Sequence, residues 1–326
     1  MYNIKEYKKF NESENIMYID SNNHHWYKGN LHTHTTRSDG RRTPEETCAL
    51  YAAAGYDFLA LTDHWKLGEG CERDENGLLI LSGAEYNFNG EDVLAGVFHI
   101  VGVGMESDPM AGDSPLTRES SAQQAIDAIN ACGGAAILAH PAWSLNTWDQ
   151  IMPLERFAAT EIFNSVSDLP RNARPYSGVV VDQLAARGRI LPLIADDDTH
   201  FHIGEQTRSY IWVDLVDAPL TRENLMAAIR AGRYYGTQGP RFSWHLEERE
   251  GKRTFVVDVD APADGEAEIC RVTFFTNRPW MGDRTTLRDG APLRQAVCHP
   301  TASDTFIRAE IADAAGNVGW TQIVKL

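Results

Sequence analysis

The chain has no cysteine pair spaced to clamp a metal or a redox centre. Its five cysteines, Cys48, Cys71, Cys132, Cys270 and Cys298, are odd in number, widely separated and never form C-x-x-C. They read as reduced thiols, not as a disulfide framework. Long apolar runs are also missing: nothing approaches the ~20 residues of a membrane-spanning helix. The opening stretch "MYNIKEYKKFNESENIMYID" holds no apolar segment of signal-peptide length, so a cytoplasmic protein without a membrane partner is expected. Basic residues are scarce, 30 Lys and Arg against 46 Asp and Glu, for a formal charge of −16. That balance excludes a protein that coats nucleic acid, which needs many cations to displace counterions from phosphates. Bound divalent cations would offset part of the acidic excess.

Familiar nucleotide and nucleophile motifs are absent as well. No Walker loop and no G-x-S-x-G elbow occurs, and "GVG" at 102–104 lacks the spacing of a dinucleotide fingerprint. There is no internal repeat or low-complexity tract. What remains is an ordinary globular composition, 43% hydrophobic and 23% charged over 326 residues, long enough for one large domain with an appendage or two medium ones.

Residues 1–25 are polar and read as an N-terminal arm. From Trp26 the text alternates: an extended "WYKGNLHTHT", a helix over "TPEETCALYAAAGY", an apolar strand "DFLALTDH". Thr43, Pro44 and Glu46 spell a capped helix start, and Gly55 marks its end. Strands at "LLILSGAEY", "FHIVGVG", "GAAILAHP", "TEIFN", "ILPLIADDD" and "SYIWVDL" follow, with helices over "SSAQQAIDAINACG", "SGVVVDQLAARG" and "TRENLMAAIRAG". Apolar strands alternating with helices predict an α/β layout with buried, largely parallel strands over 26–240, for which a barrel is one closed solution. After Gly239-Pro240 the strands alternate apolar and polar residues between Gly, Asp and Asn turns. A small antiparallel β-sandwich over 241–326 is expected.

The stretch "GNLHTHTTRSDG" places His32 and His34 two residues apart, hence on one face of a strand, with Asp39 beyond. An H-x-H alone is as easily a polar strand end as a chelating pair. The later strands decide it, because His64, Glu85, His99, His140, Asp198 and His200 all fall at or near strand ends. In parallel α/β sheets ligands gather at the carboxyl ends of the strands. Nine candidates result, and their mixed imidazole and carboxylate donors suit Zn, Mn or Fe better than Mg or Ca. At three to four protein ligands per ion, they fit two or three divalent ions.

His24, His25, His202, His245 and His299 are assigned to turns or to the second domain and left out. Asp198 is preferred to Asp196 and Asp197 within "ADDDTH" because its spacing to His200 is D-x-H. Asp63 is better placed to orient a ligand than to be one. Trp65, Tyr86, Trp143 and Trp148 follow directly on these positions and could wall a pocket or pack in the core.

Together "LHTHTTRSDG", "DFLALTDHW", "GAEY", "FHIVGVG", "LAHPAW" and "DDTH" resemble, in order and spacing, the PHP (polymerase and histidinol phosphatase) superfamily over residues 26–240. "GYDFLALTDHW", "EIFN" and "GRYYGTQGPRF" are most similar to its subgroup of carbaryl-hydrolase-like metallohydrolases, in which a β-rich domain follows the PHP core. The resemblance implies a distorted (β/α)7 barrel with a binuclear or trinuclear metal centre at the strand ends. Asp39 stands where some relatives carry histidine, and occupancy of one metal depends on it.

Ions so close together would generate a bridging hydroxide near neutral pH and hold anionic substrate oxygens. Hydrolysis of a small phosphorylated molecule is the expected activity, with Arg171 and Arg174 as candidates to stabilise the equatorial oxygens and Asp198 or His200 as leaving-group acid. The same hydroxide acting on a carbamate, ester or amide is the alternative, towards which the subgroup points. A non-catalytic PHP binding module would be expected to lose ligands, and this chain retains all nine. An amidohydrolase-type barrel also begins with H-x-H but expects a metal-bridging lysine at a mid-barrel strand end, where none stands. The expected partner is a small-molecule substrate, and self-association into a homo-oligomer is compatible with the sequence.

Overall fold

A computed structural model of the chain describes residues 18–19, 24–263 and 265–326. The N-terminal arm expected over 1–25 therefore lies mostly outside the described residues. Strands β1 (Tyr18–Ile19) and β2 (His25–Asn30) lead into helix α1 (Pro44–Ala53), then β3 (Phe58–Ala60), β4 (Leu79–Leu81), β5 (Gly83–Phe88) and β6 (Phe98–Val103). Helix α2 (Ala122–Ala131), β7 (Ala135–Leu138), the short α3 (Trp148–Ile151), β8 (Ala159–Asn164), α4 (Gly178–Ala186) and β9 (Leu193–Asp196) follow. Next come β10 (Tyr210–Asp214), α5 (Arg222–Arg230) and β11 (Tyr234–Thr237). The remainder is all strand: β12 (Phe242–Arg249), β13 (Lys252–Val259), β14 (Ile269–Thr276), β15 (Thr285–Leu287), β16 (Gln295–Cys298), β17 (Phe306–Asp313), β18 (Val318–Trp320) and β19 (Val324–Lys325).

The molecule is mixed α/β and mostly sheet. Of the strands in the first part, β2–β3–β4 and β7–β8–β9 run parallel. The expectation of largely parallel strands fails elsewhere: β5–β6–β7 are antiparallel, as are β2–β10 and β10–β11. Between β5 and β6 chain length explains it, since a parallel crossover needs about a dozen residues or more, whereas β6–β7 and β10–β11 are antiparallel despite links that carry α2 and α5. Only Ser82 separates β4 from β5, and residues 89–97 form the β5–β6 loop. With these helix-free links, the hydrogen-bond ladders fall into separate sheets and do not trace seven successive βα units.

Beyond the regular ladders, short bridges continue the pairing. Thr33 pairs with Thr199 and His64 with Glu85, both parallel, and Asp198 N–H reaches His32 O at 2.9 Å. These irregular extensions carry most of the candidate ligands, while Glu85 and His99 lie in β5 and β6. Below them lies an apolar core that includes Leu31 and Ala139, each directly preceding a candidate histidine, with Phe58, Val101, Ile194 and α5 residues Leu225 and Ile229. Gly236 lets β11 cross β9, because a Cβ there would sit 2.6 Å from Ala195 N.

The C-terminal strands are antiparallel, as their alternation predicts. They join the first part through β18, which pairs with β11, so one sheet runs from β15 through β11 to β4. Arg308 on β17 is fully buried and holds Asp182 of α4 through two bonds of 2.7 and 2.8 Å. Among the described residues no helix is long and apolar enough to cross a membrane.

Candidate metal centre

All nine residues singled out in the sequence converge at one end of the first sheets, although they come from six separate stretches of chain. They form three overlapping groups of potential ligands: His34, Asp39, His64 and His200; His32, His34, Glu85 and Asp198; Glu85, His99 and His140. His34 and Glu85 each belong to two groups, so the three groups share walls.

The middle group is the tightest. His32 Nε2 lies 3.3 Å from His34 Nε2, 3.3 Å from Glu85 Oε2 and 3.2 Å from Asp198 Oδ1. His34 Nε2 lies 3.1 Å from Glu85 Oε2 and 3.0 Å from Asp198 Oδ1. Donor atoms around one ion at ~2.1 Å stand about 3.0–3.4 Å apart, so these spacings fit a coordination shell. Asp198 Oδ1 and His64 Nδ1 are buried without a hydrogen-bond partner, although ion-pair contacts surround both. Orphaned buried atoms of this kind call for a ligand outside the protein. The donor set therefore fits divalent metal.

Glu85 joins the groups by splitting its oxygens. Oε2 faces His32, His34 and His64, the last at 3.2 Å, while Oε1 lies 2.7 Å from His99 Nδ1 and 3.5 Å from His140 Nε2. The β5–β6 register explains the reach to His99, because Asn87 opposes His99 and Glu85 opposes Val101 on one face. His99 stands near the start of β6, not its end. Its strand runs antiparallel, so its beginning meets the other strands' ends.

The third group is more open. Asp39 Oδ1 lies 3.4 Å from His200 Nε2 and Oδ2 3.9 Å from His64 Nε2, and the Asp39 side chain is 55% exposed against 0% for His34. The loop holding Asp39 is pinned from behind by Asp63, which accepts from Thr35 N–H and Oγ–H at 2.8 Å and from Ser38 Oγ–H at 2.7 Å. Backbone strain is stored in the same place: His140 and Asp198 adopt φ of +28° and +50°. Such conformations in non-glycine residues persist only where surroundings over-determine them.

Electrostatics agree with a cage built for cations. Burial opposes charge on His34, but the close carboxylates of Asp198 and Glu85 outweigh it and raise its pKa to about 9. His32 and His140 are also raised against burial by the same carboxylates and Glu161. His64 goes the other way, lowered by burial before Glu85 can compensate. Burial opposes ionisation of Asp198 and Glu85, yet the surrounding histidines hold both carboxyls far below the ordinary range. Metal-free, the raised imidazoles of His32, His34 and His140 face the lowered carboxyls of Asp198 and Glu85.

The neighbouring acids divide as the spacing predicts. Asp196 turns away and accepts from Leu31 N–H at 2.9 Å. Asp197 accepts from Tyr51 O–H at 2.7 Å and from the Thr207 and Ser209 N–H groups at 2.6 and 2.9 Å. Burial still pushes the Asp197 pKa up to about 6.

A cavity of about 270 Å³ opens over the cage, with Trp143, Ser167, Arg171 and His202 in its wall. Arg171 is thus at the site; Arg174 is exposed and absent from the cavity wall, and its main-chain N–H donates to Ser167 O at 3.0 Å. Of the four aromatic wall candidates only Trp143 lines the cavity, edge-on to His140 at 4.9 Å between ring centres. Tyr86 is buried, while Trp65 and Trp148 pack against the apolar core around it. His202, assigned to a turn, lies flat on His200 at 5.4 Å. Glu205 folds that turn inward by accepting the N–H groups of His200, His202 and Ile203.

Sequence reasoning also missed Glu161, fully buried with Oε1 2.6 Å from His32 Nδ1, and Asn164 beside it. The available signal was a charged residue inside an apolar buried strand, "ATEIF". A larger cavity of about 380 Å³ near Lys28 and Arg241 contains none of the nine residues, and its Glu266 is spent on Arg241 at 2.7 Å.

No family model and no curated protein matches the chain. Among solved structures it is similar to a two-domain protein from Bacteroides vulgatus described as containing a predicted PHP-like metal-dependent phosphoesterase, at 13% identity and TM-score 0.48, covering 97% of this chain and 93% of that one. An amidohydrolase from Chromobacterium violaceum with bound sulfate and no metal aligns at 17% identity and TM-score 0.39, over 53% of this chain and 87% of that one. A Bifidobacterium adolescentis protein described as a metal-dependent phosphoesterase aligns at 14% identity and TM-score 0.38, over 53% and 87%. At these scores the likeness carries no functional argument.

Proposed function

We propose that the chain is a metal-dependent hydrolase, acting as a phosphoesterase on a small phosphorylated molecule. The observation that carries this reading is the shared use of Glu85 and His34 by three adjoining ligand groups. Sharing is what a multinuclear centre requires and what separate structural sites do not. The succession of pairings β3–β2, residue 33 to 199, β9–β8–β7–β6–β5 and residue 85 to 64 supports reading residues 26–240 as a distorted seven-stranded barrel around the cage.

When bound, two or three ions of the Zn, Mn or Fe class would supply a hydroxide near neutral pH and charge to hold phosphoryl oxygens. The chain's own residues do the rest. Arg171 in the cavity wall presents a cation to the phosphoryl oxygens, which a guanidinium recognises through paired N–H donors. Asp198 is held as a carboxylate and has no proton to give, and His200 turns Nδ1 to Asp198 O at 2.9 Å and Nε2 to Asp39 Oδ1 at 3.4 Å, so its ring serves the cage. Trp143 and His202 offer flat faces for the part of the substrate beyond the phosphate.

Elemental analysis of the purified protein, followed by rates on an aryl phosphate, phosphodiester, ester and carbamate, tests this. At least two ions per chain and phosphate-ester turnover lost on chelation and restored by Mn or Zn are expected. Fewer than one ion without rescue would sink the multinuclear centre. Turnover of the carbamate or ester alone would replace the phosphoesterase with the carbonyl hydrolase.

A further inference from the structure

We infer that Glu161 is the positioning residue of this cage: it orients the His32 ring and the His140 main chain so that the ligand atoms stand ready for metal. The inference rests on the metal-centre reading above and concerns a residue outside the nine. Glu161 offers no oxygen to the three ligand groups. Its Oε1 is 2.6 Å from His32 Nδ1, and its Oε2 accepts from His140 N–H at 2.8 Å and Asn164 Nδ2–H at 2.7 Å. A fully buried carboxylate is costly unless its oxygens are satisfied. Among the described residues no Lys or Arg satisfies them, only groups belonging to the cage and to Asn164.

Three consequences follow from that wiring. With Nδ1 engaged by a carboxylate, His32 must present Nε2, the atom 3.2–3.3 Å from Asp198, Glu85 and His34. An outer carboxylate of this kind fixes both tautomer and ring direction. The bond to His140 N–H secures the residue whose φ of +28° needs holding. Finally, Asn164 Nδ2 also lies 3.2 Å from Asp198 Oδ2, while its Oδ1 accepts from Ser167 N–H at 3.0 Å and Oγ–H at 2.8 Å. Ser167 lines the cavity. One carboxylate thus ties two histidine ligands to Asp198 and to the wall that carries Arg171.

The test compares full-length wild type with Glu161→Gln, which keeps shape and removes the second strong acceptor. Chelator competition with Mn and Zn should show affinity weakened roughly 10–100-fold, the usual effect of losing an outer partner, while the metal-free melting temperature and circular dichroism stay near wild type. A purely structural Glu161 would do the reverse, lowering the metal-free melting temperature and leaving affinity alone, and that result overturns the inference. A second readout needs no Glu161 variant. In metal-free, ¹⁵N-histidine-labelled wild type, a far-downfield Nδ1–H resonance is expected and is assigned to His32 by its loss in His32→Gln. Its absence overturns the inference even if Glu161→Gln fails to fold. If wild type itself binds neither Mn nor Zn, the metal reading fails and takes this inference with it; wild-type binding matched by a folded variant removes this inference alone.

Discussion

Glu85 is the residue on which the cage is most exposed to damage, because each of its oxygens faces a different set of histidines. Glu85→Gln keeps the volume but removes charge from both sets. Metal per chain should fall by more than one ion, and turnover by more than the ~100-fold typical of losing an outer partner. Elemental analysis with steady-state rates on the best aryl substrate checks this, and full metal content in the variant would show that Glu85 does not bridge.

The histidine pKa values make a separate prediction about the metal-free protein. A histidine raised above its unfolded value of about 6.5 stabilises the fold fully below that pH and loses the contribution as pH climbs through its folded value. His34, at about 9, and the raised His32 and His140 therefore cost stability between pH 7 and pH 8, at up to roughly 1.4 kcal/mol per pH unit for each proton. Above about 8 the buried Lys28, lowered to about that value, begins to act in the opposite direction. Chelator-treated protein should melt at a lower temperature at pH 8 than at pH 7. Metal-saturated protein should lose that slope, since the ions displace those protons. A flat or rising profile without metal would contradict the assigned protonation.

At the scale of elements, helix α1 shows how local sequence places a distant group. Thr43 Oγ1 accepts Glu46 N–H at 3.2 Å and Glu46 returns a bond to Thr43 N–H at 3.0 Å, the capping box foreseen from "TPEE". This fixes where the loop bearing Asp39 must rejoin regular structure. Thr43→Ala should cost about 1 kcal/mol in urea denaturation while metal content remains unchanged. The strand ends were less legible. β6 and β5 are antiparallel, so His99 reaches the cage from a strand's beginning, and the merged run "LLILSGAEY" is two strands broken at Ser82. Apolar composition identifies a buried strand but says nothing of its direction, because side-chain alternation is the same both ways.

For the whole molecule, the seam between the first part and the C-terminal strands is structural. Trp320 and Phe306 pack with Val181 and Ala195, and Arg308 spans from β17 to α4. Breaking one side of a buried ion pair leaves uncompensated charge, so Arg308→Ala should lose about 3–5 kcal/mol of unfolding free energy. Denaturant unfolding would show it as one lowered transition. A loss below 1 kcal/mol would mean that the seam is held by apolar packing alone. Arg171 is the cavity's only arginine or lysine among the described residues, in a chain with an acidic surplus of 16 charges.

The amino-acid sequence by itself determined which donor atoms this protein owns and that they fall near strand ends: His32 and His34 by period-two spacing, His64, His140, Asp198 and His200 by their place after apolar runs. Those are local properties, written in residue type and interval. Only the tertiary structure decided the rest. It split Glu85 between two groups, set Glu161 behind His32, moved His202 into the cavity wall and left Arg174 outside it. Each of those outcomes depends on strand direction, register and loop closure between residues far apart in the chain, and no interval along a single chain encodes a distance across it.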